Sequence, residues 1–459
     1  MKAQAIAMPT DWSLLSGPLP MAVTLLGLAS VVFLLAGRGR AWWWYRVAPV
    51  TVGAILVTAA AVGFVDRVWR PFPDALPLPV VSWITVAVAA VGLGAVRVFE
   101  GAGPFGRRNT TAPRLPVRAR WRRRAWAALA AALVVLDAAT QINIFFGQYP
   151  AVRNAIGLSP RNVVHLADVT ARRPVVENGP RGGLVRGWKP PADMPPTGRL
   201  AQIHIPGTRS GFRARNGWVW LPPAYLASRH PRLPLLVLLA GQPGRPGDWF
   251  DGGRLDTVLN AFAVRHRGLA PVVVIPDDLG APLANPLCMD SRLGRAETYL
   301  TVDVPAWIHQ NLQVDRDTDH WAIGGYSHGG TCALQLAVRR PDLFPTFVDV
   351  SGQREPTLGG GVTRTVDLAF GGDAAAFRAV NPLDTLATRQ FPHTLAVLAV
   401  GRDDRDYWPQ QRDVRRACQR AGMRVEWVTV PGGHSWTAWK AGFTRGLDLI
   451  GSRLGLGAS

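Results

Sequence analysis

Cysteine and lysine are nearly missing from this chain, at three residues each in 459. Cys288, Cys332 and Cys418 show no CxxC or zinc spacing, which excludes cysteine-held metal fingers and thioredoxin-type motifs. An exported domain can oxidise one pair, but an odd count leaves the connectivity open. Cys332, on a helical pattern, reads as a small buried residue rather than a reactive thiol. Acidic residues are also scarce, 31 against 51 basic ones, for a net charge of +20. Almost all of that basicity is arginine. No nucleic-acid recognition motif and no basic soluble face accompany it, so nucleic acid is excluded as a partner. No internal repeat is evident, which excludes a solenoid.

Long apolar runs are what the chain does have, and they lie in its first third. Four stand out: residues 21–37, 48–65, 76–96 and 125–147. A bilayer takes roughly 17–25 residues of helix to cross, and a cleaved signal peptide would explain only the first run. Residues 1–150 are therefore expected to be a transmembrane domain of about four spans. They hold fifteen Lys/Arg and five Asp/Glu, half of the net excess. Arg38, Arg40 and Arg46 come after the first run. Arg97, Arg107, Arg108, Arg114, Arg118, Arg120, Arg122, Arg123 and Arg124 fall between the third and fourth. By the positive-inside rule both connections are cytoplasmic, so both termini and everything after Gly147 lie outside. Asp137 sits inside the fourth run, where an ionisable group is costly and marks either function or helix–helix hydrogen bonding.

Residues 151–197 are rich in proline and glycine and read as a linker. From 198 to 459 the pattern changes. Residues 199–205 and 217–221 form a β-hairpin signal. Short apolar runs at 235–239, 272–275, 321–323, 346–350, 394–400 and 425–430 then alternate with helical stretches such as 296–312 and 410–421. That alternation predicts a mostly parallel sheet covered on both faces by helices, an α/β domain.

Within it, Gly325-Tyr326-Ser327-His328-Gly329 joins a strand to a helix, the pattern of a nucleophile elbow. Glycines are needed on both sides because the turn is strained and closely packed. The motif alone is weak; an acid and a histidine placed later in the chain, in that order, strengthen it. A strand ending in Gly401-Arg402-Asp403-Asp404 supplies the acid, and one ending in Pro431-Gly432-Gly433-His434 supplies the histidine. Both stand just past strand C-termini, where open α/β sheets place ligands. Ser327 is the candidate nucleophile and His434 its base, the alternative being an ordinary surface-loop histidine. Asp404 is the first choice of acid, with Asp403 the runner-up and Asp406 further along. The backbone N–H of His328 is one candidate oxyanion donor. Ala240-Gly241-Gln242-Pro243-Gly244 supplies the other, and since Pro243 cannot donate, Gln242 is favoured over a plain Gly-Pro turn. Trp408, Trp436 and Trp439 lie beside the acid and the histidine; they line a substrate pocket or pack the core beneath the loops.

Three segments together resemble the esterase family that includes esterase D and the antigen-85-type mycolyltransferases. They are Gly325 to Gly330, Ala296 to Trp307 and Gly433 to Trp439. The resemblance spans about residues 198–455 and implies an α/β-hydrolase fold, a Ser/acid/His triad, and ester chemistry with no metal and no cofactor. The membrane third is similar to that of membrane-anchored actinobacterial esterases. Two departures stand out: mycolyltransferases commonly use Glu where this chain offers Asp404, and their secreted members lack the anchor. The expected function is a membrane-anchored serine esterase or acyltransferase acting outside the cytoplasmic membrane on an acyl ester of a lipid, glycolipid or cell-envelope component. The alternative is a non-catalytic hydrolase-like receptor domain on a membrane sensor or transporter. Hydrolysis or transfer, the acyl chain, its acceptor and the oligomeric state are not legible in one sequence.

Overall fold

Apolar side chains set the architecture twice over, once for lipid and once for a buried sheet. The computed structural model describes residues 9–36, 40–99, 117–158, 160–170, 175–176 and 184–457. The chain divides into two compact units: residues 1–70 with 74–157, and residues 71–73 with 158–459.

The first unit holds four helices long and apolar enough to cross a membrane: α1 (Pro18–Leu35), α2 (Arg40–Trp69), α3 (Leu78–Phe99) and α4 (Val117–Phe146). Large apolar side chains such as Leu25, Val32, Ile55 and Leu56 face outward. Leu34, Val47, Ala90, Leu93, Ala130 and Val134 form a small buried apolar cluster between the helices. Lipid tails are as apolar as leucine, so small residues and hydrogen bonds do the joining between helices. A Cβ on Gly94 would meet that of Ala131 at 2.8 Å. Asp137 is buried and accepts hydrogen bonds from Thr24 (3.0 Å) and Gln141 (3.0 Å), the helix–helix bonding alternative. Helix α4 begins eight residues before the apolar run does. Arginine is a good helix former, so Arg118 to Arg124 continue the helix instead of lying in a loop. Arg97 lies in the last turn of α3, with its guanidinium over the rings of Phe33 (5.2 Å) and Trp42 (4.7 Å). Arg38, Arg107, Arg108 and Arg114 lie outside the described residues.

The second unit is built on an eight-stranded sheet. Its strands are β1 (Arg199–Ile203), β2 (Gly217–Leu221), β3 (Leu235–Leu239), β4 (Val272–Ile275), β5 (Trp321–Tyr326), β6 (Thr346–Val350), β7 (Leu395–Gly401) and β8 (Arg424–Val430). Their spatial order is β1-β2-β4-β3-β5-β6-β7-β8. The β1–β2 and β2–β4 pairs are antiparallel and all the others parallel. Strands β3 to β7 are buried throughout, which is why they read as unbroken apolar runs. At the sheet edge, β8 alternates part of its face with solvent. This is the α/β-hydrolase architecture. Helices α5 (Leu255–Arg265), α6 (His328–Arg339), α7 (Tyr407–Arg420) and α8 (Trp436–Gly451) cover it.

The stretch expected to be a stand-off linker differs from that reading. From Leu158 onward it belongs to the second unit. Val163 bridges to Leu200, and buried Trp188 donates its indole N–H to the Arg267 carbonyl at 2.9 Å. Its prolines suppress long helices and strands but not docking; the regular pieces are as short as Leu166–Val169 and Leu184–Gly187.

Candidate active site

The turn after β5 leaves room for nothing larger than hydrogen at its glycines. A Cβ on Gly325 would lie 2.2 Å from the Gly329 carbonyl, and one on Gly329 2.4 Å from the Leu239 carbonyl oxygen. Between them Ser327 takes φ 53° and ψ −123°, a conformation that side chains rarely adopt. Its N–H donates to the Val350 carbonyl at 2.8 Å, so the strained residue is tied to the neighbouring strand. Helix α6 then starts at His328.

His434 arrives on the Gly432-Gly433 loop after β8. Its Nε2 lies 2.9 Å from the Ser327 hydroxyl oxygen, and its Nδ1 lies 3.0 Å from Oδ2 of Asp404. A carboxylate on Nδ1 fixes the proton there, which leaves the Nε2 lone pair facing the hydroxyl. Asp404 is 2% exposed, in the turn after β7. Asp403 and Asp406 are exposed. Asp403 spends its N–H on the Gly432 carbonyl at 3.0 Å, and Asp406 precedes α7. The structure thus brings Ser327, His434 and Asp404 into one hydrogen-bonded series and leaves the other two acids out of it.

Gln242 and His328 flank this series in the loop after β3 and at the head of α6. Among the described residues, neither backbone N–H has an acceptor. The Gln242 side chain anchors its loop, donating to the Leu283 carbonyl at 3.0 Å and accepting from Asn285 at 3.1 Å. The Gln242–Pro243 peptide is cis. Gly241 packs on Tyr326, where a Cβ would come within 2.5 Å of the ring.

The His328 imidazole points into a buried chamber, 3.3 Å from Cys332 Sγ, 3.7 Å from Cys288 Sγ and 4.0 Å from Asp278 Oδ2. Burial pulls its pKa down to about 4, so the ring is neutral. Burial, reinforced by the charge of Asp277, pushes Asp278 up to about 8. Ligand-type atoms of Asp278, Cys288, His328 and Cys332 all lie within 4.8 Å of one another. The two sulfurs are bonded to each other as a disulfide, however, and so offer no thiolate to a metal. Cys418 is free and buried.

The tryptophans divide. Trp436 is 2% exposed and packs on Trp249 and Tyr326, and Trp439 is 8% exposed with its ring nearly perpendicular to that of His434, centroids 4.9 Å apart. Both pack into the core beneath the loops, the second of the two alternatives that their sequence positions left open. Trp408 is half-buried, edge-on to Trp427 at 5.8 Å.

Sequence reasoning missed Tyr407, whose ring stacks on His434 at 3.9 Å and 18°. Its position three residues after Asp404 is a signal that was there to be used. It also missed Asp349, fully buried, whose two oxygens accept from the Gly352 N–H (2.8 Å) and the Gln411 amide (2.8 Å). Burial raises its pKa to about 7. Asp278 and the Cys288–Cys332 pairing have no local sequence signal at all.

Residues 212–450 match the family model described as "Putative esterase". An uncharacterized protein of Corynebacterium glutamicum is 32% identical over 447 residues, covering 95% of this chain and 93% of that one. Among solved structures, a ferulic acid esterase is 17% identical with a TM-score of 0.49, over 57% of this chain and all of that one. An S-formylglutathione hydrolase from Agrobacterium tumefaciens is 18% identical with a TM-score of 0.46, over 56% and 96%.

Proposed function

The chain belongs to this esterase family, and on that premise we propose that it is a membrane-anchored serine esterase or acyltransferase. Ser327 Oγ attacks the ester carbonyl carbon while His434 Nε2 takes the hydroxyl proton. Asp404 holds the imidazole in register and stabilises the imidazolium. The carbonyl oxygen becomes an oxyanion, received by the N–H groups of Gln242 and His328. Collapse breaks the ester C–O bond, and the imidazolium gives its proton to the departing alcohol. The acyl group is left on Ser327. Water, or a hydroxyl of a sugar or lipid, then attacks the acyl-enzyme with His434 again as base, and Ser327 is restored. Hydrolysis and transfer share every step but the identity of that second nucleophile.

One observation carries this reading: the unbroken series from Ser327 Oγ through His434 to buried Asp404, with contacts of 2.9 and 3.0 Å. The substrate class is inferred from family and location: an acyl ester reachable from a membrane surface, with a lipid or cell-envelope ester the favoured kind. For topology, the arginines flanking the spans favour both termini and the hydrolase unit outside the cytoplasm. The Cys288–Cys332 disulfide supports the same side, since such bonds persist in oxidising compartments.

The test is covalent labelling of the detergent-solubilised full chain with a fluorophosphonate probe, in parent and Ser327→Ala. Labelling of the parent alone is the expected result. No labelling, or labelling that survives the substitution, removes the enzyme reading in favour of a binding domain. p-Nitrophenyl esters of increasing chain length, with and without sugar acceptors, then separate hydrolase from transferase.

A further inference from the structure

Asp278 lies three residues past β4, is 0% exposed, and has one carboxyl oxygen, Oδ2, without a hydrogen-bond partner. Its other oxygen accepts the Ala240 N–H at 3.3 Å, at the root of the loop that carries Gln242. The unpartnered Oδ2 is directed at His328, 4.0 Å from Nε2. One carboxyl therefore stands behind both segments that supply oxyanion donors in the proposed mechanism. Its neighbour Asp277 is built differently. Asp277 accepts the Arg215 N–H at 2.7 Å and its guanidinium at 2.9 and 2.5 Å, with the Leu279 and Gly280 amides besides. Charge is compensated at Asp277 and uncompensated at Asp278.

We propose, resting on the serine-esterase reading, that Asp278 is a positioning residue that must stay neutral: it braces the Ala240–Gln242 loop against His328, and its ionisation shuts the oxyanion site down. The physical reason is the sign of the charge. The transition state places a negative oxygen in front of the two amides, and a carboxylate behind them would oppose it where little water screens the interaction. An acid kept neutral accepts the Ala240 N–H without that repulsion. The ionisable groups around it are Asp277, Arg215, Tyr299, Tyr326 and His328. Burial holds both phenols far above their usual range and the imidazole far below. Asp278 is left as the group in this chamber that titrates near the alkaline edge of the working range, at about 8.

The experiment measures kcat and KM of the detergent-solubilised full chain on a p-nitrophenyl ester across a pH range of about 6 to 10, with Ser327→Ala as the blank for uncatalysed hydrolysis. The parent is expected to lose about tenfold in kcat on the alkaline side, with a midpoint near the Asp278 value. Asp278→Asn keeps the acceptor for Ala240 and cannot ionise. It should hold the parent's kcat at neutral pH within about threefold and lose the alkaline fall. Asp278→Ala removes the brace and should lower kcat about tenfold at every pH with KM little changed. An alkaline fall that persists unmoved in Asp278→Asn overturns the proposal, as does Asp278→Ala with the parent's kcat. Should Asp278→Ala not fold, the Asp278→Asn profile decides alone. Fluorophosphonate labelling of the parent is measured first. Its absence takes down the esterase reading and this inference together, whereas a labelled parent without the alkaline fall takes down the inference only.

Discussion

Asp404→Asn tests the acid's assignment most sharply, because the two adjacent aspartates were indistinguishable in kind from sequence. Asp404 is 2% exposed, and its Oδ2 lies 3.0 Å from His434 Nδ1, so no water stands ready to replace the lost charge. The amide is isosteric and can face the ring in two ways. With its oxygen inward, the imidazolium formed on attack keeps an acceptor but loses a full charge, worth about 1.5–3 kcal/mol. With its nitrogen inward, the ring must carry its proton on Nε2, which then points a donor at Ser327 and cannot act as base. The expected fall in kcat/KM is accordingly about 100- to 10,000-fold, or about 3–5.5 kcal/mol of barrier. The assay is p-nitrophenyl ester hydrolysis by the full chain in detergent, with the rate of fluorophosphonate labelling as an acceptor-free check. Asp403→Asn is the control. That side chain is exposed, and its backbone does the holding through the Gly432 carbonyl, so less than about a threefold change is expected. A loss under about tenfold for Asp404→Asn, or an equal loss in both variants, refutes the assignment.

Tyr407→Ala removes the ring stacked at 3.9 Å on His434 and should lower kcat about two- to tenfold, while Tyr407→Phe, which keeps the ring, should not; steady-state kinetics decide. Gly330→Ala puts a Cβ 2.3 Å from Asp349 Oδ1, an atom held by the Gly352 N–H in a carboxyl also held by Gln411, and should destabilise the second unit by about 1–3 kcal/mol, read as a lower thermal midpoint. Asp349 keeps its proton up to about 7 in the folded chain, whereas an unfolded carboxyl releases it above about 4. The folded state then binds the extra proton, so stability falls as pH rises between those values and levels off beyond, by at most about 1.4 kcal/mol per pH unit. Thermal midpoints measured across that window should show the slope in the parent and a flatter one in Asp349→Asn.

How much of this was legible depended on whether a constraint was local in the chain. The elbow could be read because steric exclusion acts between residues four apart: Gly325 and Gly329 fit only if neither has a Cβ. Strands β3, β4 and β7 could be read because burial on both faces erases the alternation a half-exposed strand would keep. The acid resisted because Asp403 and Asp404 share a turn. A half-step of backbone decides which carboxyl turns inward, and the contacts that fix this turn, such as the Asp403 N–H on the Gly432 carbonyl, come from a loop about thirty residues away. Cys288 and Cys332 were unreadable for a similar reason. They lie 44 residues apart, and the close approach of their Cα atoms, 5.5 Å, is a product of the finished sheet. Asp278 belongs with them. An aspartate after a strand reads as a turn residue, and only its burial beneath Ala240 and His328 makes its proton a matter for the site. The residues legible in the sequence are those that act on the reacting ester in the proposed mechanism, together with Asp404, one hydrogen bond behind them. The illegible ones hold the former in place from behind, across contacts that exist only after folding. Variants confined to the serine, the histidine and the acid would test the first group alone, which is why substitutions at Asp278, Asp349 and Tyr407 discriminate more than one at Ser327 does.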